Sequence, residues 1–256
     1  MRTHFALIAL TLVGFSSAAE TSLFYLPIRN NDLATLRHLI RDSGPRAYDA
    51  RGNSPLMYAA ALGSLESMRL LLDAGADPNS ANDFDATPLM WCAGDAAKVR
   101  LLLSKGANAN ARSKLGRSPL MIAAAYDGAT EAARLLIEKG ADVNARDKGG
   151  NSVLAQAAGS NNVEVARLLI AKGAQVNNVD DGGFTPLHNG ASNGDRSAAL
   201  VKLLLEHGAH VNVQSGDTAE IVKNGPILIG HLTPLQEAAA QGNYETVEAL
   251  LKAGAD

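Results

Sequence analysis

Thr185-Pro186-Leu187-His188, and Leu203-Leu204-Leu205-Glu206-His207-Gly208-Ala209 downstream of it, decide how this chain is read. Variants of the first half open at Ser54-Pro55-Leu56-Met57, Thr87-Pro88-Leu89-Met90, Ser118-Pro119-Leu120-Met121, Ser152-Val153-Leu154-Ala155 and Thr233-Pro234-Leu235-Gln236. Successive starts lie 33, 31, 34, 33 and 48 residues apart. The closing Gly-Ala returns at Gly75, Gly106, Gly140, Gly173, Gly208 and Gly254, on nearly the same beat. A period near 33 residues marks a stacked-repeat protein, in which each unit buries its apolar face on its neighbours. The 46% apolar content, rich in Ala and Leu, is then spread along a stack and not gathered into one central core.

Within each unit the residues explain one another. Ser or Thr ahead of Pro starts a helix: the hydroxyl caps free backbone N–H groups, and Pro in the first helical position gives up no hydrogen bond it would have made. Leu56, Ala59 and Ala60 then face inward, Leu62-Gly63-Ser64 turns the chain, and Met68, Leu71 and Leu72 form the inner side of a second helix. Gly75 ends that helix in the left-handed conformation. Asp77-Pro78-Asn79, Asn108-Ala109-Asn110, Asp142-Val143-Asn144 and Gln175-Val176-Asn177 lead into turn-rich fingers that return to the next helix start. Residues 24–50 carry Leu33, Leu36, Leu39 and Ile40 at helical spacing but lack the Thr-Pro-Leu opening. They read as a degenerate repeat that caps the array, with Arg29, Asn30, Asn31 and Asp32 at an exposed end or turn.

In phase over about residues 24–256, the Thr-Pro-Leu-His, Ala-Ala, Leu-Leu and Gly-Ala-Asp-Val-Asn elements resemble those of ankyrin-repeat proteins. The resemblance implies an all-α solenoid: a curved stack of antiparallel helix pairs with β-hairpin-like fingers, six repeats over residues 51–256 behind a linker and cap at 20–50. It also implies a non-enzymatic module that binds another protein through its finger tips and concave face.

Copies that depart from the pattern do so in loops, where length changes are tolerated. The repeat at Thr87 is two residues short around Cys92-Ala93-Gly94-Asp95, the one at Ser118 is one longer around Tyr126-Asp127-Gly128, and the one at Thr185 is two longer around Asn193-Gly194-Asp195-Arg196. The finger at 213–232 grows by about 15 residues and includes Ile221, Val222, Ile227, Leu228, Ile229 and Leu232. It is either a decorated finger folded back on its neighbours or a dedicated contact element. Residues 242–256 either cap the array, with Gln241, Asn243 and Glu245 facing water, or belong to a longer protein.

The first 19 residues differ from the rest: a short basic start, an apolar run at 5–15, and Ser17-Ala18-Ala19. This is the pattern of a secretory signal cleaved after Ala19, and its apolar run is shorter than the roughly 20 residues of a membrane span. An exported protein, bacterial periplasmic or secreted, is therefore expected. The absence of any Asn-x-Ser/Thr sequon is consistent with a bacterial source. Cys92, the only cysteine, excludes an internal disulfide and a multi-thiolate metal site, and it aligns with inward small residues.

A formal charge of −3 with interspersed signs shows no nucleic-acid footprint. No phosphate-binding Gly-x-x-x-x-Gly-Lys-Ser/Thr loop, dinucleotide Gly-x-Gly-x-x-Gly or His-Glu-x-x-His occurs. No catalytic residue, cofactor or metal is assigned. His207, His210 and His231 cluster at the long finger, but His207 suits a helix C-terminus and His188 suits hydrogen bonding between fingers.

Partner contacts are assigned by elimination, from side chains the fold has no means to bury. These are Phe84, Arg112, Lys114, Arg117, Tyr126, Arg146, Lys148 and Phe184, the middle fingers being basic and the flanking ones more acidic. Tyr58 and Trp91 are read as packing between helices. The expected state is a monomer without stable membrane insertion that binds one protein partner. The alternatives are the accessory region of a longer exported enzyme or electron-transfer protein, and an inhibitor or immunity protein for a secreted enzyme.

Overall fold

The computed structural model describes residues 23–194, 197–216, 218–222 and 225–256, with only the backbone of 218–222 and 225–229. The expected signal segment and the Asp195-Arg196 turn lie outside the described residues. Two compact units divide the chain, one of residues up to 123 plus 131–141, the other of 124–130 plus 142–256.

The first unit begins with α1 (Tyr25–Arg29) and α2 (Leu33–Ser43), then α3 (Pro55–Leu62), α4 (Leu65–Asp73), α5 (Pro88–Trp91), α6 (Ala96–Ser104), most of α7 (Pro119–Ala124) and most of α8 (Thr130–Glu138). The second contains α9 (Val153–Gly159), α10 (Val163–Ala171), α11 (Pro186–Ala191), α12 (Ala198–Glu206), strands β1 (Thr218–Val222) and β2 (Gly225–Ile229), α13 (Pro234–Ala240) and α14 (Tyr244–Lys252). First helices stack on first helices and second on second: α1, α3 and α5 in one unit, and α9, α11 and α13 in the other. This is the all-α repeat solenoid expected from the motifs.

Caps set the helix starts. Ser54 Oγ accepts from Met57 N at 3.3 Å, Ser118 Oγ from Met121 N at 3.2 Å and Ser152 Oγ from Ala155 N at 3.1 Å. Thr185 and Thr233 build reciprocal capping boxes with His188 and Gln236. Thr87 is the exception, its buried hydroxyl making no cap bond, in the repeat whose first helix is only four residues long. Second helices start at side-chain caps from Asp32, Ser64, Asp95, Asn162 and Asn243. They end at glycines with φ between 74° and 91°, and a Cβ there would meet no atom within 4 Å. Backbone handedness alone selects glycine at those ends.

An asparagine ladder ties each repeat to the next. Asn79 Nδ2 donates to Gly106 O at 2.9 Å while its Oδ1 accepts from Asn108 N at 2.8 Å. Asn110 reaches Gly140 O, Asn144 reaches Gly173 O, Asn177 reaches Gly208 O and Asn212 reaches Gly254 O. Each rung satisfies a carbonyl left over at a helix C-terminus. The capping repeat has no such asparagine, and Arg46 takes the place by donating Nε and Nη2 to Gly75 O at 3.2 and 3.1 Å.

The cores hold the motif Leu and Ala residues. In the first unit Tyr25, Tyr58 and Trp91 form an edge-to-face series with centroids 5.7 and 5.9 Å apart. Tyr58 and Trp91 are thus interior, as read from the sequence. The Tyr58 hydroxyl donates to the Asp49 carboxylate, and burial followed by that bond pushes its pKa up. Cys92 is buried, and desolvation pushes its thiol up to about 12. Asn243, expected to face water, is 2% exposed: it caps α14 and donates Nδ2 to Ser197 Oγ at 2.6 Å and to Gly194 O. Its amide works at both ends, the oxygen capping α14 and the nitrogen donating across to the preceding repeat.

Candidate functional site

The short finger tips follow one local rule. An Asp, Asn or Ser opens a five-residue loop whose first N–H donates to the carbonyl four residues on, as in Asn82 N to Ala86 O (3.1 Å), Ser113 N to Arg117 O (3.0 Å) and Asp180 N to Phe184 O (2.9 Å). The opening side chain accepts from the loop's own N–H groups: Asn82 Oδ1 takes Phe84 N and Ala86 N, and Asp147 Oδ1 takes Gly149 N and Asn151 N. Neighbouring tips are joined by Asp83 N to Arg51 O and Lys114 N to Phe84 O in the first unit, and by Asp181 N to Gly149 O in the second. Within the described residues the short fingers are turns, with one isolated bridge, Arg146 to Ser152.

In the first unit this register sets Lys114 beside Phe84, with the backbone bond between them 2.9 Å long. Phe84 is 46% exposed between exposed Asp83 and Asp85. Leu115, 53% exposed, occupies on its own finger the position Phe84 holds on the preceding one, two residues after the opening Asn82 or Ser113. Sequence reasoning missed Leu115; counting from the finger-opening residue identifies it. Arg112 is exposed and donates Nη1 to Gly116 O at 2.7 Å, so it braces its own tip. Arg117 is half-buried at the finger base, its N–H on Ser113 Oγ.

In the second unit, Arg146 staples two fingers: Nε donates to Gly150 O at 2.8 Å and Nη2 to Val179 O. Lys148 is exposed at the same tip. Phe184 is half-buried, its ring edge-on to His188 with centroids 5.6 Å apart. Tyr126 lies in the loop after α7, away from the tips; it is 38% exposed, and its carbonyl accepts from Asn162 Nδ2 at 2.8 Å.

The long finger grows from an ordinary one. Ser215 N donates to Leu232 O at 2.9 Å and Leu232 N donates to Ser215 Oγ at 3.1 Å, the bonds that close a five-residue tip elsewhere. The extra residues project from that closure as the antiparallel ribbon β1–β2, with Thr218 opposite Ile229 and Val222 opposite Gly225. His188 anchors its base: Nε2 donates to Leu232 O at 3.0 Å while Nδ1 accepts from Thr185 N at 3.2 Å. Burial lowers the His188 pKa, opposed by hydrogen bonds to Leu232 and Val213.

Gly190-Ala191-Ser192-Asn193-Gly194 has the Gly-x-Ser-x-Gly spacing of a hydrolase nucleophile. That motif works on a strand-to-helix turn, whereas Ser192 closes α11 and donates to Asn189 O at 3.2 Å. Among the described residues, no group of three or more His, Cys, Asp or Glu is placed to hold a metal, and no helix is long and apolar enough to cross a membrane.

A family model described as "Ankyrin repeats" matches residues 75–147, 120–215 and 183–256, and one described as "Ankyrin repeat" matches residues 51–83. No curated protein matches the chain. Ankyrin repeats are in general protein-interaction modules and typically non-catalytic. With matched segments spanning residues 51–256 and the same helix-pair architecture throughout, the chain belongs to the ankyrin-repeat family.

Proposed function

We propose that this chain is a non-enzymatic module that binds one partner protein through its finger tips. The observation that carries the reading is the pair Phe84 and Leu115, large apolar side chains held in water at matching positions of neighbouring fingers. They sit among Asp83, Asp85 and Lys114 in a backbone whose hydrogen bonds fix the tips before any partner arrives. Rigid apolar anchors rimmed by charge are the composition of an interface hot spot, and pre-ordered loops reduce the entropy lost on binding. Lys148 adds an exposed base on the second unit, while Arg112, Arg117, Arg146 and Phe184 act more as supports of the tips than as direct contacts. Tyr126 is a separate, lateral contact.

Export belongs to the same proposal, supported by the basic start, the apolar run at 5–15 and the small residues before Glu20. Amino-terminal sequencing of the mature protein from the exported fraction tests it; a mature chain still beginning at Met1 removes it. For the binding reading, the full chain is used to capture partners from that fraction, and Phe84→Ala with Lys114→Glu is expected to weaken the captured complex at least about tenfold. A partner indifferent to both changes, and to Leu115→Ala, overturns the finger assignment.

A further inference from the structure

The register of β1 and β2 fixes which backbone groups of the long finger point away from it. Ala219 lies opposite Leu228, Glu220 opposite Ile227, Ile221 opposite Pro226 and Val222 opposite Gly225. Opposed residues in an antiparallel pair alternate between those that exchange both backbone bonds and those that exchange neither. Pro226 has no N–H, so Ile221 and Pro226 exchange neither, and by alternation the same holds for Ala219 and Leu228. Ala219 and Ile221 therefore turn two N–H and two C=O groups outward along β1. On the outer edge of β2, Pro226 supplies no donor and Leu228 supplies one. Among the described residues the sheet has two strands, so no further strand takes up the β1 groups.

The base of the ribbon shows what adjoins that edge. Ser215 turns its N–H to Leu232 O, and Gly216, the next residue, turns its own the other way, to Gly182 O of the preceding finger at 2.8 Å. The approach is so close that a Cβ on Gly216 would lie 3.1 Å from Gly182 O. The preceding finger, the neighbour on the β1 side, is a turn and has no strand to offer. Alternation also sorts the strand residues by face. Ala219, Ile221, Pro226 and Leu228 share one face and are all apolar; Glu220, the only charged residue of the two strands, lies on the other, opposite Ile227. We propose that β1 takes, as a third and antiparallel strand, an extended segment of a partner protein that reads apolar, basic, apolar. Its Lys or Arg lies opposite Glu220 and its apolar residues opposite Ala219 and Ile221. Backbone bonds hold the segment, its apolar residues extend the apolar face, and its cation complements the one charge. A second copy of β1 is a poorer strand. Bonding Ala219 to the copy's Ile221 in both directions sets Glu220 opposite the copy's Glu220, like charges at the closest cross-strand spacing. The proposed contact involves neither Phe84 nor Leu115.

The capped peptide Thr-Val-Lys-Val-Thr, titrated into the full chain, tests this. Expected is binding with Kd below about 1 mM. With peptide at about ten times Kd, amide hydrogen exchange should slow about tenfold at Ala219 and Ile221. N-methylation of the two valines, whose N–H groups would face β1, should abolish binding, while N-methylation of the lysine should weaken it far less. Thr-Val-Glu-Val-Thr should bind about fivefold more weakly, and Glu220→Lys should invert that preference. Phe84→Ala should change neither result. Absence of binding at roughly tenfold above that Kd overturns the proposal. So do binding that tolerates the methylated valines and a charge preference that Glu220→Lys leaves as it was. Methylation acts on the peptide alone, so that arm stands even where the substitution disturbs the ribbon. Exchange at Ala219 and Ile221 that slows with rising chain concentration and no peptide assigns the edge to a second copy and overturns the proposal as well.

Discussion

The pair α11/α12 and the pair α13/α14 carry nearly the same motif, Thr-Pro-Leu with Leu-Leu before Gly-Ala, yet they stand in different surroundings. Leu187 in the first is 1% exposed, and Leu235, its counterpart in the second, is half-exposed. The motif sets the fold of a helix pair, and the neighbour sets what each motif residue contributes to stability. In a solenoid, stability is a sum of unit and interface contributions, and in this structure α13/α14 is stacked on one side, against α11/α12.

The largest expected effect separates these two pairs. Leu187→Ala should cost about 2 to 5 kcal/mol by lost burial and the cavity it leaves, as should Leu136→Ala in α8. Leu235→Ala should cost less than about half of that, since little burial is lost. Urea unfolding measures both; equal losses would break the comparison. Next come the ladder rungs. Asn177→Ala removes a bond to Gly208 O and another from His210 N, and should cost about 1 to 2 kcal/mol. Asn212→Ala, whose bonds to Gly254 O and from Asp256 N are longer at 3.3 Å, should cost less.

A smaller effect should follow pH. Burial holds the His188 pKa below its ordinary 6.5, so the folded state favours neutral imidazole. Its contribution to stability is complete above pH 6.5 and declines as pH falls through that value toward the lower folded pKa. Melting at pH 7.5 and 5.5 in wild type and His188→Gln checks this: the variant should lose less on acidification, and an identical pH response assigns the effect elsewhere. The smallest effect is at Tyr244, 86% exposed, where Ala should leave stability within about 0.5 kcal/mol of wild type.

Much of this architecture is legible in the chain because its causes are local. Ser-Pro starts, glycine ends and the Leu-Ala inner faces act within a turn or two, and Cys92 takes its interior place by alignment with Ala59 and Ala123. The finger details are less legible because they depend on residues a full repeat away. Arg146 reads as a free basic contact until Val179 is found accepting from it, and Phe184 reads as a tip until His188 is found beneath its ring. Asn243 looks like a surface residue, since nothing near it in sequence announces Ser197. Leu251 and Leu205 are indistinguishable by motif, and only the presence or absence of a stacked neighbour tells them apart.

The closure between Ser215 and Leu232 makes the base of the long finger a socket. Sixteen residues hang between these two, where the equivalent finger has three between Ser113 and Arg117, yet the same backbone bond shuts both. Loop-closure entropy rises so slowly with length that the longer excursion costs only about 1.5 kcal/mol more. The array therefore accepts cargo at this point without restacking, and new sequence can be exchanged there, by evolution or by design, while the repeats on either side keep their register.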